Sequence, residues 1–243
     1  MRPYIICHMI TSLDGSILPD QWHSTAEVSV DAMIERHYDH CADSFKAQGW
    51  IVGRETMSHY VPGVADESVS DEKGFIAAQW REDNLKPANG KPLAIAFDPK
   101  GRLRPETAEL DGEHLVLVLG AQAPTYAIEH LQRAGVSYLF AGQQGDDVLQ
   151  ALEKISAFYG VERLLLQGGA ITNGHFLRAG AIDEISTLVC PALDGATTFK
   201  GIFQSTDSES QTTVAAPLNT HFLGYSILED GVIWSKYRLT AAR

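Results

Sequence analysis

Residues 161–192 read VERLLLQGGAITNGHFLRAGAIDEISTLVCPA, and the interpretation of the whole chain starts from them. The apolar run 163–167 is too short for an ordinary helix and is halted by Gly168-Gly169, which predicts a strand buried on both faces. After it Ile171, Phe176, Leu177 and Ala181 fall at helical intervals, with Thr172 or Asn173 as the N-cap and Gly180 as the stop. Residues 183–190 then form a second strand, completing a strand-turn-helix-strand unit. The glycine pair sits at the carboxyl end of the first strand, where open α/β sheets bind ligands and where the free N–H groups of a helix start favour phosphate. Two readings remain open at this point. The turn is either a pyrophosphate cradle or a place where strand and helix pack closely, and the first needs a second phosphate-facing element elsewhere.

Gly49–Gly53, GWIVG, provides one. This short strand ends in glycine, and Arg54-Glu55-Thr56 then opens a helix, so a guanidinium, a hydroxyl and helix N–H groups fall together. Residues 92–98, PLAIAFD, make a further strand that runs into Pro99-Lys100-Gly101-Arg102. Lys100 and Arg102 are either a solvated turn or the cations that receive the extra phosphate of NADP.

Tyr4–Thr11 is the first strand, apolar at nearly every position, and runs directly into Ser12-Leu13-Asp14-Gly15. Asp14 either closes an Asx-turn before Gly15 or, at a strand end beside a ligand, orients substrate donors and relays a proton. A helix is expected over 25–48, capped by Ser24 or Thr25, with Val28, Met33, Ile34, Tyr38, Cys41, Ala42 and Phe45 as its buried stripe. His37, His40 and Cys41 lie close on it but match no zinc spacing, so no metal is expected.

The remaining elements alternate: a strand at 114–120, a helix at Thr125–Ala134, a strand at 136–141 and a helix at 145–159. Residues 199–203 read as a docked segment, and 221–229 with 231–237 as a closing hairpin across Asp230-Gly231. Residues 61–90 break the rhythm and read as an excursion over the active-site mouth, a subunit contact or a disordered insertion. The whole is an α/β chain, one domain over 1–243, with a mixed, mostly parallel sheet, helices on both faces and a C-terminal antiparallel hairpin.

Composition narrows the partners. Nineteen basic against 31 acidic residues leave a net charge of -12, which argues against a general nucleic-acid or anionic-membrane surface, so a phosphorylated ligand would need a local basic pocket. Cys7, Cys41 and Cys190 are odd in number and far apart, which points to a reducing compartment and no disulfide framework. The N-terminal residues lack a secretory pattern and no stretch has the length of a membrane span, so a cytoplasmic chain is expected.

Taken together, Ser12-Leu13-Asp14-Gly15, Val52-Gly53-Arg54-Glu55-Thr56 and LLLQGGAITNGHFLRAGAIDEI resemble the reductase domain of bacterial riboflavin biosynthesis and its relatives with the dihydrofolate-reductase fold. The likeness covers almost the whole chain in order. It implies NADPH as cofactor, bound at Gly53, Arg54 and Thr56 and at the turn made by Gln167, Gly168, Gly169, Ala170, Ile171 and Thr172, with Lys100 or Arg102 near the 2′-phosphate. It also implies hydride transfer to a pyrimidine, pterin or related small molecule, with Asp14 as first choice for the accompanying proton and Ser12 and Thr11 beside it, in a homodimer. Two positions depart from the riboflavin pattern. Ser16 stands where a lysine usually follows the SLDG turn, and Gln167 where a glutamate usually precedes Gly-Gly. Both changes suggest a different or uncharged ligand. The deaminase patterns His-x-Glu and Pro-Cys-x-x-Cys of bifunctional relatives do not occur, which excludes deamination.

Overall fold

A computed structural model describes residues 1–24, 28–61, 81–196, 201–205 and 218–241. Its ten strands belong to one mixed sheet, mostly parallel and finished by an antiparallel hairpin. The chain divides into two compact units, one of residues 1–3 and 48–164, the other of residues 4–47 and 165–243.

In the first unit β2 (Gly49–Gly53), β3 (Leu93–Phe97), β5 (Glu113–Leu119) and β6 (Ser137–Phe140) run parallel, each beside the next. The two-residue strand β4 (Glu109–Leu110), not foreseen from the sequence, pairs antiparallel with the start of β5. Helices α2 (Arg54–Met57), α3 (Thr125–Ala134) and α4 (Val148–Tyr159) complete the unit. Every residue of β3 is buried, as expected of a central parallel strand covered on both faces. The core gathers Val52, Met57, Leu103, Leu117, Leu131 and Tyr138 among others. Of the 61–90 excursion, residues 62–80 lie outside the described part, while 81–90 are pinned along β6. Asn84 and Tyr138 exchange both backbone bonds, the Phe140 N–H donates to Asp83 at 2.8 Å, and Lys154 pairs with Asp83 at 2.8 Å.

In the second unit β1 (Tyr4–Thr11) and β8 (Glu184–Val189) are parallel neighbours. β10 (Ile233–Ala241) then runs antiparallel to β8, and β9 (Leu218–Ile227) antiparallel to β10. The unit boundary falls inside β7 (Arg163–Leu166), which leads to α5 (Ala170–Arg178). The hairpin thus falls where the sequence placed it but is longer, turning through Glu229–Gly231.

Helix starts moved most. α1 spans Val30–Asp43, not 25–48, and its cap is Ser29, whose hydroxyl accepts from the Ala32 N–H at 3.2 Å, in place of Ser24 or Thr25. Its buried residues are Met33, His37, Cys41 and Ala42, the first three four residues apart. α4 begins at Val148 under an Asp147 cap, three residues after the expected start. α5 begins at Ala170, so Thr172 and Asn173 lie inside it and cap nothing; Gly169 is the N-cap and makes no side-chain bond.

One buried polar network makes this fold pH-sensitive. His8 on β1 is fully buried and stacks on Tyr38 at 4.5 Å. Its Nε2–H donates to the Tyr38 carbonyl at 3.1 Å, so Nδ1 is left to accept from Ser186 Oγ at 2.9 Å, and Ser186 Oγ accepts the Trp234 indole N–H at 2.8 Å. A neutral ring satisfies every partner. Burial accordingly pushes the pKa of His8 down from 6.5 to about 4, with the Tyr38 bond opposing. Between those values the unfolded chain binds more protons, so stability is lost as pH falls through this window. The loss attributable to His8 is about 2 kcal/mol between about pH 6.5 and about pH 4.5. Urea midpoints across this range should fall more steeply for the native chain than for His8→Gln, and equal slopes would assign the acid loss to other groups.

Candidate active site

Parallel register brings two of the sequence-identified turns together. Gly53 pairs with Phe97, so Arg54 and Asp98 emerge side by side from the carboxyl ends of β2 and β3. Arg54 opens α2 with its side chain about a third exposed and its Nη2 3.5 Å from the exposed carboxylate of Glu55; Thr56, two residues on in the same turn, is half-buried. Asp98 is fully buried. Its Oδ2 accepts the Leu103 N–H at 2.7 Å, and its carbonyl accepts the Gly101 N–H at 2.9 Å, which folds 98–103 into a tight hook. Burial raises the pKa of Asp98, while the N–H groups of Leu103 and Arg102 and the cations of Arg54 and Arg104 pull it back. Lys100 is exposed at the tip of the hook and Arg102 is half-buried on its far limb. Sequence reasoning missed Asp98, although its place ahead of Pro-Lys-Gly marked it as a turn-former.

At the glycine pair, in the second unit, Gly168 has φ +105, a value that L side chains rarely adopt, and is joined to Gly169 by a cis peptide bond. Gln167 and Gly169 are half-buried, Ala170 is buried and Ile171 is about half exposed. The first-turn N–H groups of a helix have no acceptor within it, so Ala170, Ile171 and Thr172 present donors at this end. Residues 201–205 dock beside them, as the sequence suggested for 199–203, of which 199 and 200 lie outside the described part. The Gln204 N–H donates to the Ala170 carbonyl at 3.0 Å and Asn173 Nδ2 to the Ile202 carbonyl at 3.0 Å. Gly174 makes this approach possible, because a Cβ there would lie 1.9 Å from the Gln204 carbonyl oxygen.

The Ser12-Leu13-Asp14-Gly15 turn leaves the carboxyl end of β1 beside the segment leaving its parallel neighbour β8. Asp14 fastens the two. Its Oδ1 accepts from Ser12 Oγ at 2.5 Å and from the Asp194 N–H at 3.1 Å, and its Oδ2 accepts the Gly195 N–H at 2.9 Å. The Ser12 hydroxyl first, then the two backbone N–H groups, bring its pKa down from 3.8 to about 2. Ser16 is fully buried and donates its hydroxyl to Asp194 Oδ2 at 2.6 Å, while the Ser16 N–H donates to Ser12 Oγ at 2.9 Å. Two apolar side chains, Leu13 and Leu193, stand exposed on either side of this latch. Asp194-Gly195 was also passed over in the sequence, where it is one more turn dipeptide.

His37 and Cys41 take structural places. His37 Nε2 lies 3.3 Å from Asp230, and Cys41 is buried against Trp22 and Met33. Among the described residues no group of three His, Cys, Asp or Glu side chains is arranged to hold a metal, and no helix is long and apolar enough to cross a membrane. All three cysteines are free thiols and buried.

Two curated relatives are named 2,5-diamino-6-ribosylamino-4(3H)-pyrimidinone 5′-phosphate reductase. The chain is 25% identical to that of Methanothermobacter thermautotrophicus over 196 residues, 80% of this chain and 81% of the relative. It is 25% identical to that of Aquifex aeolicus over 195 residues, 80% and 79% of the two chains. Among solved structures, a pyrimidine reductase-like protein from Corynebacterium diphtheriae shares the fold, with a TM-score of 0.65 at 17% identity over 99% of this chain and 93% of that one. The model of the RibD C-terminal domain matches residues 3–228, nearly the whole length, and the chain belongs to that family.

Proposed function

We propose that the chain is an NADPH-dependent reductase, working in the cytoplasm as a homodimer, with residues 1–243 as one reductase-like domain and a pyrimidine, pterin or related ring compound as substrate. The observation that carries the cofactor reading is the donor set at the ends of β2 and β3. Arg54, Lys100 and Arg102 gather on neighbouring turns of a chain whose net charge is -12. That is a local basic patch of the kind a phosphorylated dinucleotide requires. Arg54 would hold a phosphate by charge-assisted bonds and Thr56 would add a hydroxyl donor; in the second unit, taken by itself, the N–H groups at the start of α5 are suited to an anion. The cofactor would supply the hydride; the protein supplies alignment, exclusion of water and a fixed substrate.

For the substrate, the latch at Asp14 is the informative part. Its carboxylate is ionised across the neutral range and engaged by three donors, so we assign it a positioning role rather than proton delivery, with Ser12 held in the same bond. Ser16 turns inward to Asp194 and presents neither charge nor a free hydroxyl to a ligand. A substrate without a phosphate at this position fits better than the phosphorylated compound in the relatives' names.

Binding of NADPH followed by fluorescence, and its oxidation with phosphorylated and dephosphorylated ribosylaminopyrimidines and a panel of pterins, tests the reading. Binding with turnover on at least one ring compound is the expected result. Binding without any turnover would leave a nucleotide-binding protein that has lost catalysis, and absence of binding would remove the reductase reading altogether.

A further inference from the structure

Among the described residues of the first unit, Asp98 is the only buried carboxylate, and its two oxygens are treated differently. Oδ2 accepts the Leu103 N–H at 2.7 Å and holds the 98–103 hook closed, whereas Oδ1 is buried with no hydrogen-bond partner. The neighbouring cations are engaged elsewhere. Arg104 directs Nη1 to the carbonyls of Gly101 and Leu103, at 2.6 and 2.7 Å, and its guanidinium lies over the Tyr126 ring, 5.2 Å from the centre. Arg54 leans to the exposed Glu55, 3.5 Å away. An ionised Asp98 is therefore balanced by these two cations only through space, and an orphaned oxygen in the interior makes its charge costly. Burial raises its pKa, with the Leu103 and Arg102 N–H groups and then Arg54 and Arg104 opposing. The other described contacts of the hook are neutral. The Val118 carbonyl accepts the Asp98 N–H, Ala123 and Ala127 pack on Gly101, and the Gly120 and Gly145 backbones close on Pro99. Lys100 stands exposed at the tip, and the Asp147 carboxylate caps α4.

We propose that Asp98 is a positioning residue of the cofactor site that takes up a proton from solvent when Arg54 binds a phosphate, so that the cofactor is held more tightly as pH falls. This role rests on the cofactor reading given above and adds to it a residue and a pH dependence. Gly53 pairs with Phe97, so Arg54 and Asp98 follow paired residues on adjacent strands and lie within the range over which interior charges act on one another. Arg54, once paired with a phosphate, no longer favours the carboxylate, and the phosphate charge beside it opposes ionisation further. Oδ1 is the oxygen left for the proton. A neutral Asp98 keeps Oδ2 as the acceptor of the Leu103 N–H, so the hook stays closed and Lys100 and Arg102 stay in place. The sign follows from linkage. Between the pKa of the free protein and the higher pKa of the complex, only the complex carries the proton, so Kd rises with pH there by at most about tenfold per unit and is level on either side.

Isothermal titration calorimetry of the full chain with NADP, in two buffers of different ionisation enthalpy at each pH from about 5 to about 8, counts the protons bound with the cofactor. The 2′-phosphate of NADP, with an ordinary pKa of about 6, changes its own protonation on binding. Asp98→Asn leaves that contribution in place, keeps an oxygen for the Leu103 N–H and removes the titrating carboxyl. The native chain should take up more protons than Asp98→Asn, by up to one per NADP, and its Kd relative to the variant's should rise with pH wherever the counts differ. A residue that only closed the hook would change affinity alike at every pH and leave the counts equal, which would overturn the proposal. If Asp98→Asn fails to fold, the native chain decides alone. The Leu103 amide proton, donated to Oδ2, reports the ionisation of Asp98 by nuclear magnetic resonance, and its titration midpoint should move to higher pH when NADP is saturating. An unmoved midpoint would overturn the role. Binding of NADP with equal proton counts would overturn Asp98 alone, whereas absence of NADP binding would overturn the cofactor reading with it.

Discussion

Arg54→Ala is expected to weaken NADPH binding by roughly 1.5–3 kcal/mol, about 10- to 150-fold in Kd, while leaving the fold intact. The side chain is partly exposed and its nearest partner on its own helix, Glu55, is 80% exposed, so little stability depends on it. Its value lies in where the backbone places it. The end of β2 delivers the guanidinium next to the hook around Asp98, and it helps keep that buried carboxyl from rising further in pKa. Truncation would remove a phosphate donor and raise the Asp98 pKa in one step. Arg54→Lys should recover only part of the affinity, because an ammonium keeps the charge but loses the planar two-pronged donor. Fluorescence titration of native, Ala and Lys proteins should give affinities in that descending order: native, Lys, Ala. Equal affinities would take Arg54 out of the cofactor site.

What made the position of Arg54 readable in advance was local. A strand ending in glycine, a cation and a hydroxyl at a helix start are all set by neighbours in the chain, and Tyr4–Thr11, Gly49–Gly53 and Thr125–Ala134 came out residue for residue for the same reason. Helix starts were harder. Ser24, Thr25 and Ser29 are all eligible caps by type, and the choice of Ser29 depends on which turn can also bury Met33, His37 and Cys41. At α5 the cap is a glycine with no side chain to signal it, and the polar residue that looked like a cap, Asn173, is held by the carbonyl of Ile202. Contacts between distant segments left no trace at all. Asp14 finds Asp194 and Gly195 180 and 181 positions away, and nothing in Ser12-Leu13-Asp14-Gly15 announces them.

Asp14→Asn is expected to lower kcat roughly 100-fold with NADPH affinity unchanged, the size of loss that follows when a loop facing the substrate drifts by about an ångström. The carboxylate accepts three donors through two oxygens, and an amide offers one oxygen and an NH₂ group. Whichever way the amide turns, at least one donor faces another donor, and the Asp194-Gly195 backbone loses part of its hold on the turn after β1, while the Leu13 N–H still donates to the Ala192 carbonyl at 2.8 Å. The pH dependence separates this from acid catalysis. With a pKa near 2, Asp14 keeps one protonation state throughout the neutral range, so it contributes no limb to the rate profile there. Native and Asn proteins should therefore give kcat profiles of the same shape at different heights. If Asp14 delivered the proton, as the bare sequence allowed, the substitution would erase a limb. Ser16→Ala separates the latch from the acid in the same way, since it removes the hydroxyl that steadies Asp194 while leaving Asp14 ionised and in place. A fall in kcat of the same kind but smaller than that of Asp14→Asn would show that the latch as a whole, rather than one titrating carboxyl, sets the rate.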